Sequence, residues 1–418
     1  MIESAQVQVS TMTFGPFAIG RADDKVVMIR RAAPGDVLEI AASSDRHDYL
    51  LGRIIRIVQP SPLRREPPCH YFAQCGGCDW QHIKYNSQIR LKGEIIARVF
   101  HQVLGTRLDP EGLVEPAPAE VGYRARVRLK TGPGGVVGFR HAATNSLVPV
   151  EECAISAVPI APARRLATLL GHVCSEIEIV EGRHGSVLVA HLSRPPGALE
   201  RKIASQFIED GASAGLILRN GEARDCFGNV TIGYECEPDC VIEADADLFS
   251  QVNRAQNVKL VPAVMDMGGI GKETRVLDLF CGTGNFSLPA ARRGAHVTGI
   301  DQNSLAIEAA RFNAERMGRL QARFFAMRSS DGLRFLARSR YRPEVLIMDP
   351  PRAGAADLID SITRLQAQRL VYVSCNLPTL MRDLRRLSSQ RYKLCSVRAF
   401  DFFPNTHHTE IAVSLLLT

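Results

Sequence analysis

Two chemically reactive side chains follow neighbouring strand-like runs in the C-terminal part of the sequence. Asp349 comes directly after residues 345–348 and begins the sequence Asp-Pro-Pro-Arg, and Cys375 follows residues 370–373. Because the carboxyl ends of parallel strands meet at one edge of a sheet, we expect both side chains to face one crevice. A thiol there is placed for nucleophilic attack. The alternative is a buried, small apolar residue, which is how most free cysteines behave.

A glycine-containing turn earlier in the chain has the pattern of a cofactor site. A predicted strand that contains Asp278 leads into a turn with Gly282 and Gly284, where the backbone can approach a ligand closely. The next predicted strand ends in Asp301, whose carboxylate could accept hydrogen bonds from two ribose hydroxyls. The third glycine of a dinucleotide fingerprint is replaced by Ser287. This pattern suits S-adenosylmethionine, which has no pyrophosphate to seat on a helix N-terminus, although NAD stays open on these residues alone.

A carboxyl group near the C-terminus completes the requirements of one reaction. Glu410 closes the sequence FPNTHHTE at 403–410, just before a predicted final strand. Carbon 5 of uracil is not nucleophilic enough to take a methyl group until a thiolate has added to carbon 6. A base must then remove the proton on carbon 5 before the thiol is eliminated. We therefore assign Cys375 as nucleophile and Glu410 as base, with Asp349 holding the edge of the ring.

The position of the cysteine separates this reaction from two related ones. Enzymes that methylate carbon 5 of cytosine commonly carry a cysteine in the proline-containing motif after the fourth strand, and here that motif is DPPR without cysteine. Methylation of adenine N6 would use an aromatic residue after Asp-Pro-Pro, where this chain has Arg352. These residues therefore favour uracil as the target.

By these motifs the chain resembles the RNA 5-methyluridine methyltransferases that use S-adenosylmethionine, over nearly its whole length. The resemblance rests on FSQVN at 249–253, DLFCGTGNF at 278–286, DPPRAG at 349–354, SCN at 374–376 and FPNTHHTE at 403–410. It implies a class I Rossmann-like methyltransferase domain with S-adenosyl-L-methionine as cofactor. Matched by motif, the residues that would contact the cofactor or the target base are Gln251, Phe280, Asn285, Asp301 and Asp349. The same match makes Cys375 the nucleophile and Glu410 the base.

Two places depart from the family's pattern. The family usually has a small residue where Pro351 stands, although a second proline is not foreign to it. Around residues 327–331, where family members place a polar residue against the adenine, the alignment is ambiguous. No adenine contact is assigned there.

Three cysteines lie close together in the spacing Cys69-x5-Cys75-Gly-Gly-Cys78, and Cys153 is the candidate for a fourth metal ligand. Structural zinc and a [4Fe–4S] cluster both stay open on this spacing alone. The resemblance favours iron–sulfur, because the ribosomal-RNA branch of the family carries a [4Fe–4S] cluster on this spacing. The simplest role for such a cluster is structural, in stabilising the fold around the RNA site. The other cysteines apart from Cys375 are interpreted as structural.

The surrounding sequence divides into three predicted domains. Residues 1–60 contain about five short β-rich runs, which predicts a small OB-type barrel, and they resemble the RNA-binding TRAM domain. Residues 61–248 form a β-rich central domain with the cysteines, and a helix near 86–104 could pack on the catalytic domain. Residues 249–418 alternate strands and helices like a doubly wound α/β domain. Residues 59–68, with four prolines, are predicted to be a linker.

The expected partner is RNA, and 23S ribosomal RNA in particular. The tRNA-directed branch of the family generally lacks both the TRAM domain and the cluster, so their joint presence favours ribosomal RNA. A further candidate for phosphate binding is a stripe of alternating basic residues that one strand face would carry, Arg124, Arg126, Arg128 and Lys130. The equally weighted alternative is a solvated edge that its charges protect from pairing.

Composition sets the outer limits of these hypotheses. The 418 residues carry a formal net charge of +7, which permits an anionic partner but is weak evidence alone. No signal sequence or membrane span is recognised, so we expect a cytoplasmic protein, with no obligate protein partner evident. Three alternatives are kept: a catalytically silent RNA chaperone, a tRNA uridine methyltransferase, and a dinucleotide-dependent oxidoreductase with an iron–sulfur centre.

Overall fold

A computed structural model of the protein describes residues 4–22, 25–45, 48–142, 144–318 and 320–418. The predicted 1–60 domain is therefore described only in part, because residues 1–3, 23–24 and 46–47 lie outside the described residues. Among the described residues, no helix combines the length and the apolar composition needed to cross a bilayer.

The N-terminal residues form a closed five-stranded barrel, as the sequence predicts. Its strands are β1 Ala5–Met12, β2 Phe17–Ala22, β3 Lys25–Arg30, β4 Val37–Asp45 and β5 Tyr49–Gln59. They close in the order β1-β2-β3-β5-β4, with a parallel pair only between β3 and β5. Alternating apolar side chains point inward, such as Val7 and Val9 of β1 and Val27 and Ile29 of β3, so a two-residue period fills the barrel.

The proline-rich segment after the barrel is packed against it. The side chain of Arg64 donates two hydrogen bonds, each 2.7 Å long, to the buried carboxylate of Asp36 at the base of the barrel. Ser61 is buried beside it and donates its backbone N–H to the same carboxylate. The segment therefore fixes the barrel in place and differs from the flexible connection that its prolines suggest.

Two elements of the next stretch extend the C-terminal sheet. Helix α1 spans Tyr85–Leu104, and the short strand β6, Val114–Glu115, pairs in parallel with a strand of that sheet. Lys92 of α1 is 1% exposed and donates a 2.6 Å hydrogen bond to the fully buried carboxylate of Asp401. The helix thus packs against the C-terminal part of the chain, while the predicted boundaries at residues 61 and 249 stay predictions.

The central unit is a seven-stranded sheet covered by two helices. Its elements are β7 Arg126–Thr131, β8 Val137–Arg140, β9 Leu147–Pro149, α2 Ala161–Leu170, β10 Cys174–Gly182, β11 Gly185–Leu192, α3 Ala198–Glu209, β12 Gly215–Asn220 and β13 Ala223–Gly228. The strand order is β13-β12-β11-β10-β7-β8-β9. Apolar side chains of β7, β10 and β11 pack with those of α2 and α3 in one continuous core.

The basic stripe on β7 is neutralised within the protein. The register of β7 and β10 places Arg128 opposite Glu178 and Lys130 opposite Glu176, and both basic side chains form ion pairs there. Arg126 donates a 2.8 Å hydrogen bond to Glu178 as well. Although burial opposes the shift, a hydrogen bond from His191 and the charge of Arg126 lower the pKa of Glu178 to about 2. Arg126, Arg128 and Lys130 of the predicted stripe are therefore held in ion pairs, whereas Arg124 donates to the backbone carbonyl of Arg126 instead. Phosphate binding by the stripe stays a prediction.

The C-terminal unit is the predicted doubly wound α/β domain. A hairpin, β14 Thr231–Glu237 and β15 Cys240–Asp245, precedes it. Its elements are α4 Arg254–Gly268, β16 Arg275–Leu279, α5 Ser287–Arg292, β17 His296–Asp301, α6 Ser304–Arg316, β18 Ala322–Ala326, α7 Ser329–Arg338, β19 Val345–Met348, α8 Ile359–Arg364, β20 Arg369–Ser374, α9 Leu377–Ser389, β21 Tyr392–Phe400 and β22 Glu410–Leu417. The order β18-β17-β16-β19-β20-β22-β21-β6 is parallel from β18 to β20, and the fold class is confirmed.

We predict that the buried ion pair between α1 and the C-terminal unit is required for stability. Replacing Lys92→Met leaves the Asp401 carboxylate buried without its partner, which costs about 3–5 kcal/mol. Urea denaturation should show this loss in the free energy of unfolding. On the same helix, Arg90 pairs with Glu94 at the surface, so Arg90→Ala should change the free energy of unfolding by less than about 1 kcal/mol. Equal effects of the two substitutions would contradict the prediction.

Candidate active site

A cavity of about 640 Å³ lies at the carboxyl ends of the parallel strands. β16, β17, β19 and β20 all end at this edge of the sheet, where the switch in strand order opens a crevice. The structure brings to its lining six of the seven residues that sequence reasoning assigned to cofactor, base or catalysis, namely Gln251, Phe280, Asp301, Asp349, Cys375 and Glu410. These residues come from separate parts of the sequence, so their convergence is a property of the fold.

The turn after β16 is held against the end of β17. The backbone N–H of Gly282 donates a 3.0 Å hydrogen bond to one carboxylate oxygen of Asp301, and the N–H of Asn303 donates a 2.9 Å bond to the other. Phe280 and Gly284 both have positive φ angles, and a Cβ atom at Gly284 would lie 2.8 Å from Leu288. The turn therefore needs glycine there, and the carboxylate of Asp301 is fixed at the rim of the cavity.

Asn285 differs from its predicted position, because it does not line the cavity. Its side-chain amide exchanges two hydrogen bonds, 2.8 and 3.0 Å long, with the buried amide of Asn257 on α4. Both polar ends of Asn285 are used in this pair. Asn285 therefore joins the turn after β16 to α4 in the structure, and its contact with the cofactor stays a prediction.

Asp349 and Gln251 form a polar pair on one wall of the cavity. Asp349 follows β19 directly, and the nearly buried Gln251 donates a 3.4 Å hydrogen bond from Nε2 to its carboxylate. Burial raises the pKa of Asp349 above its usual range. A carboxyl and an amide side by side can match the alternating donors and acceptors on the edge of a uracil ring.

Cys375 lies at the end of β20 and is half-buried in the cavity lining. Asn376 caps the following helix α9 by accepting a hydrogen bond from the N–H of Thr379, which fixes the turn that carries the thiol. Burial, followed by the negative charge of Glu410, raises the pKa of Cys375 to about 11, and the guanidinium of Arg352 opposes this shift. Arg352 is therefore the nearby cation that stabilises the thiolate.

Glu410 is the first residue of β22, and its side chain is 4% exposed. Burial and the charge of Asp349 raise the pKa of its carboxyl well above the usual range, while Arg352 acts in the opposite direction. One thiol and two carboxyls with raised pKa values therefore share one crevice with Arg352. Such a grouping of perturbed groups is typical of a catalytic centre.

Several residues that line the cavity were not assigned a role from the sequence. Ser329 and Ser330, at the start of α7, line it together with Arg328, in the region where no adenine contact was assigned. The topology could have identified these residues, because they follow β18, which ends at Ala326 on the same edge of the sheet. Phe249 also lines the cavity, with 70% of its surface exposed, which is unusual for a large aromatic side chain.

The four cysteines proposed as metal ligands meet at a second, smaller cavity of about 170 Å³, lined by Cys69, Cys75, Cys78 and Cys153. Burial raises the pKa of Cys75 and Cys153, and raises that of Cys78 to about 12. The charges of neighbouring cysteines add to each of these shifts. Gly77 donates its N–H to the sulfur of Cys75 over 3.4 Å.

The crevice brings one thiol and two carboxyls together at the carboxyl edge of an α/β sheet. A family model described as tRNA (Uracil-5-)-methyltransferase matches residues 237–417. The chain is 31% identical over 401 residues to 23S rRNA (uracil(1939)-C(5))-methyltransferase RlmD of Pseudomonas putida, covering 93% of this chain and 88% of the relative. It is 33% identical over 395 residues to the protein of that name from Pseudomonas entomophila, covering 91% and 86%.

A solved structure extends the likeness to the fold. The crystal structure of Pyrococcus abyssi tRNA (uracil-54, C5)-methyltransferase in complex with S-adenosyl-L-homocysteine superposes with a TM-score of 0.74 at 22% identity, covering 98% of this chain and 100% of that chain. Together with the relatives, this confirms the resemblance seen in the sequence. The chain belongs to the family of S-adenosylmethionine-dependent RNA uracil-C5 methyltransferases.

We predict that Arg352 controls the ionisation of Cys375. Because the pKa of Cys375 is about 11, its alkylation by iodoacetamide should speed up about tenfold for each pH unit from 7 to 10. Arg352→Gln removes the opposing cation and raises the pKa further, so alkylation at pH 9 should slow by about tenfold. Mass spectrometry of the peptide that contains Cys375 measures this rate. Arg386→Gln, which removes an exposed arginine paired with Asp360, serves as control and should leave the rate unchanged; an equal slowing would refute the prediction.

Proposed function

We propose that the protein methylates carbon 5 of a uridine in 23S ribosomal RNA, in the cytoplasm, through a covalent bond between Cys375 and carbon 6. The observation that carries this proposal is the convergence of Cys375, Glu410 and Asp349 on the cavity that the cofactor turn also lines. Two relatives that cover most of the chain are named for 23S rRNA, which supports this substrate. The same cavity has room for a nucleoside beside a cofactor.

The cofactor would lie along the turn after β16. Bound S-adenosylmethionine supplies an electrophilic methyl group on a sulfonium cation. Asp301, held by two backbone N–H groups, presents its carboxylate where ribose hydroxyls can donate to it. Phe280, Gly282 and Ser329 line the same space.

Cys375 would begin the reaction as a thiolate. Its sulfur adds to carbon 6 of uracil, and the π electrons of the ring move to the oxygen on carbon 4. The positive charge of Arg352 stabilises the thiolate before it attacks. Gln251 and Asp349 hold the ring edge in the orientation that exposes carbon 6 to the sulfur and carbon 5 to the methyl group.

Glu410 would end the reaction as a base. Once carbon 5 carries the methyl group, the Glu410 carboxylate takes its proton. The electrons of the C–H bond re-form the double bond between carbons 5 and 6, and the bond from carbon 6 to sulfur breaks. The enzyme is left with the Cys375 thiolate and a protonated Glu410, which returns its proton to solvent when the product leaves.

The ionisation of the two carboxyls is coupled to the cofactor. Before the cofactor binds, burial favours the protonated forms of Asp349 and Glu410. Their ionised forms are stabilised by a nearby sulfonium cation, so both carboxyls lose protons more easily when the cofactor is in place. Methyl transfer would then turn the sulfonium into a neutral thioether, so a Glu410 carboxylate that has ionised beforehand becomes a stronger base for the proton on carbon 5.

We predict that Cys375→Ala abolishes methyl transfer to 23S RNA transcripts, because Cys375 is the one thiol among the described residues that line the cavity. Cys395→Ala, which removes an exposed thiol outside the cavity, is the matched control and should retain full turnover. Methyl label in nuclease-digested RNA measures the product. Full turnover by Cys375→Ala would refute the covalent mechanism, and label in tRNA with none in 23S transcripts would refute the proposed substrate.

We also propose that Cys69, Cys75, Cys78 and Cys153 hold a [4Fe–4S] cluster. A zinc ion with four ligands 2.3 Å away would hold their sulfurs about 3.8 Å apart. Of these four described cysteines, no three have sulfurs within 4.8 Å of one another. A four-iron cluster spaces its ligands more widely, because each thiolate binds a different iron, and N–H donors such as that of Gly77 suit it. The bound cluster supplies positive charge that lets the thiols ionise despite their raised pKa values.

We predict that anaerobically purified protein contains about four irons and that Cys153→Ser removes most of them, because one ligand in four is lost. Cys226→Ser, which alters an exposed cysteine away from the cavity, should leave the iron content unchanged. Elemental analysis and the absorbance near 400 nm measure the cluster. Stoichiometric zinc without iron would overturn this assignment.

A further inference from the structure

The segment that carries the proposed cluster ligands touches the loop that leads to Glu410. We call residues 69–80 the cysteine segment and residues 403–410 the base loop. The backbone N–H groups of Asp79 and Trp80 both donate to the backbone carbonyl of Asn405, over 3.0 and 2.9 Å. Asp79 also accepts a 2.7 Å hydrogen bond from Nδ1 of His407. Two adjacent residues of the cysteine segment therefore hold the base loop at two points.

Asn405 is the centre of this contact. It is 0% exposed and has a φ of +68°, a conformation that asparagine tolerates better than most residues. Its side-chain oxygen accepts hydrogen bonds from Arg65 over 2.7 Å and from Gln88 over 3.1 Å, and its side-chain nitrogen donates to the carbonyl of Glu120 over 2.7 Å. Its backbone N–H donates to Gln88 over 2.8 Å.

The rest of the base loop is held from the same side. Tyr123 donates its hydroxyl to the carbonyl of Pro404 over 3.1 Å, and Lys92 donates to the carbonyl of Phe403 over 3.2 Å. The residues that hold the loop therefore come from the cysteine segment, helix α1 and the chain after it. Glu410 follows directly at the first position of β22, so the geometry at Asn405 sets how the chain enters that strand.

We propose that Asn405 is a positioning residue that fixes the orientation of Glu410, with its side chain held by Arg65, Gln88 and the carbonyl of Glu120. The inference rests on the proposed role of Glu410 as base. The side-chain hydrogen bonds of Asn405 then have a part in turnover that is separate from RNA binding: they keep the base loop in the conformation from which the carboxylate reaches the proton on carbon 5. Displacement by about 1 Å at such a distance from the reacting atoms is enough to slow a step by roughly 100-fold.

A misplaced base impairs one step of the reaction in particular. Attack by Cys375 and methylation of carbon 5 come before Glu410 acts. Without a placed carboxylate, the proton stays on carbon 5, the double bond cannot re-form, and the bond between carbon 6 and sulfur persists. A positioning defect should therefore leave methylated RNA bound covalently to the protein, a state that survives denaturing electrophoresis.

The test is Asn405→Gly in the full chain loaded with its cluster. Glycine accepts the positive φ, so the substitution removes the side-chain hydrogen bonds without adding backbone strain. We expect turnover to fall on the order of 10–100-fold, with one methyl group transferred per enzyme, a persistent covalent complex, and an unchanged KM for RNA. Asp239→Gly, at another position with positive φ in the exposed β14–β15 turn, is the control and should behave like the unsubstituted protein.

A second variant keeps the inference falsifiable if Asn405→Gly folds poorly. Asn405→Asp keeps an oxygen for Arg65 and Gln88 but sets its second oxygen against the carbonyl of Glu120, so it too should leave a persistent covalent complex. Unchanged turnover in Asn405→Gly would overturn the proposal, as would a raised KM or lost iron without a covalent complex. Glu410→Gln separates the two claims: if it forms no persistent covalent complex, the role of Glu410 as base is wrong.

Discussion

Burial of one thiol and two carboxyls in a single crevice is the constraint on which the chemistry of this protein depends. Removing Cys375, Asp349 and Glu410 from water favours their neutral forms, and each negative charge that forms there disfavours the next. Reaction therefore needs positive charge, which Arg352 provides permanently and the cofactor provides on binding. A crevice of this kind is inactive without its cofactor and becomes reactive once the cofactor is seated.

The fold meets this constraint by bringing distant segments to one edge of a sheet. Asp301, Asp349 and Cys375 each follow a parallel strand, so a single architectural rule places all three. Glu410 is different, because it begins an antiparallel strand and arrives through a loop. That loop is held by residues from the cysteine segment and helix α1, which precede it by more than 300 residues. The segment between the barrel and the central sheet is therefore packed against the C-terminal unit.

The sequence allowed the strand-tip residues to be predicted, because parallel strands place their carboxyl ends together whatever lies around them. The barrel and the doubly wound domain were predictable for a similar reason, since local periodicity determines them. The amide pair of Asn285 with Asn257 was not predictable, because it depends on where α4 packs. The ion pairs of Arg128 and Lys130 depend on the register between β7 and β10, which a single strand does not reveal. The anchoring of the base loop was not predictable either, because it depends on hydrogen bonds between residues more than 300 positions apart in the sequence.

The most direct test of this account is a trapping experiment with RNA that carries 5-fluorouridine at the target position. Fluorine on carbon 5 cannot leave as a cation, so a base cannot complete the reaction and the adduct to carbon 6 persists. The account predicts a stable complex that forms only with S-adenosylmethionine present, with the nucleotide attached to Cys375 in peptide mass spectrometry. A nucleotide attached to another residue, or full turnover without any adduct, would contradict it.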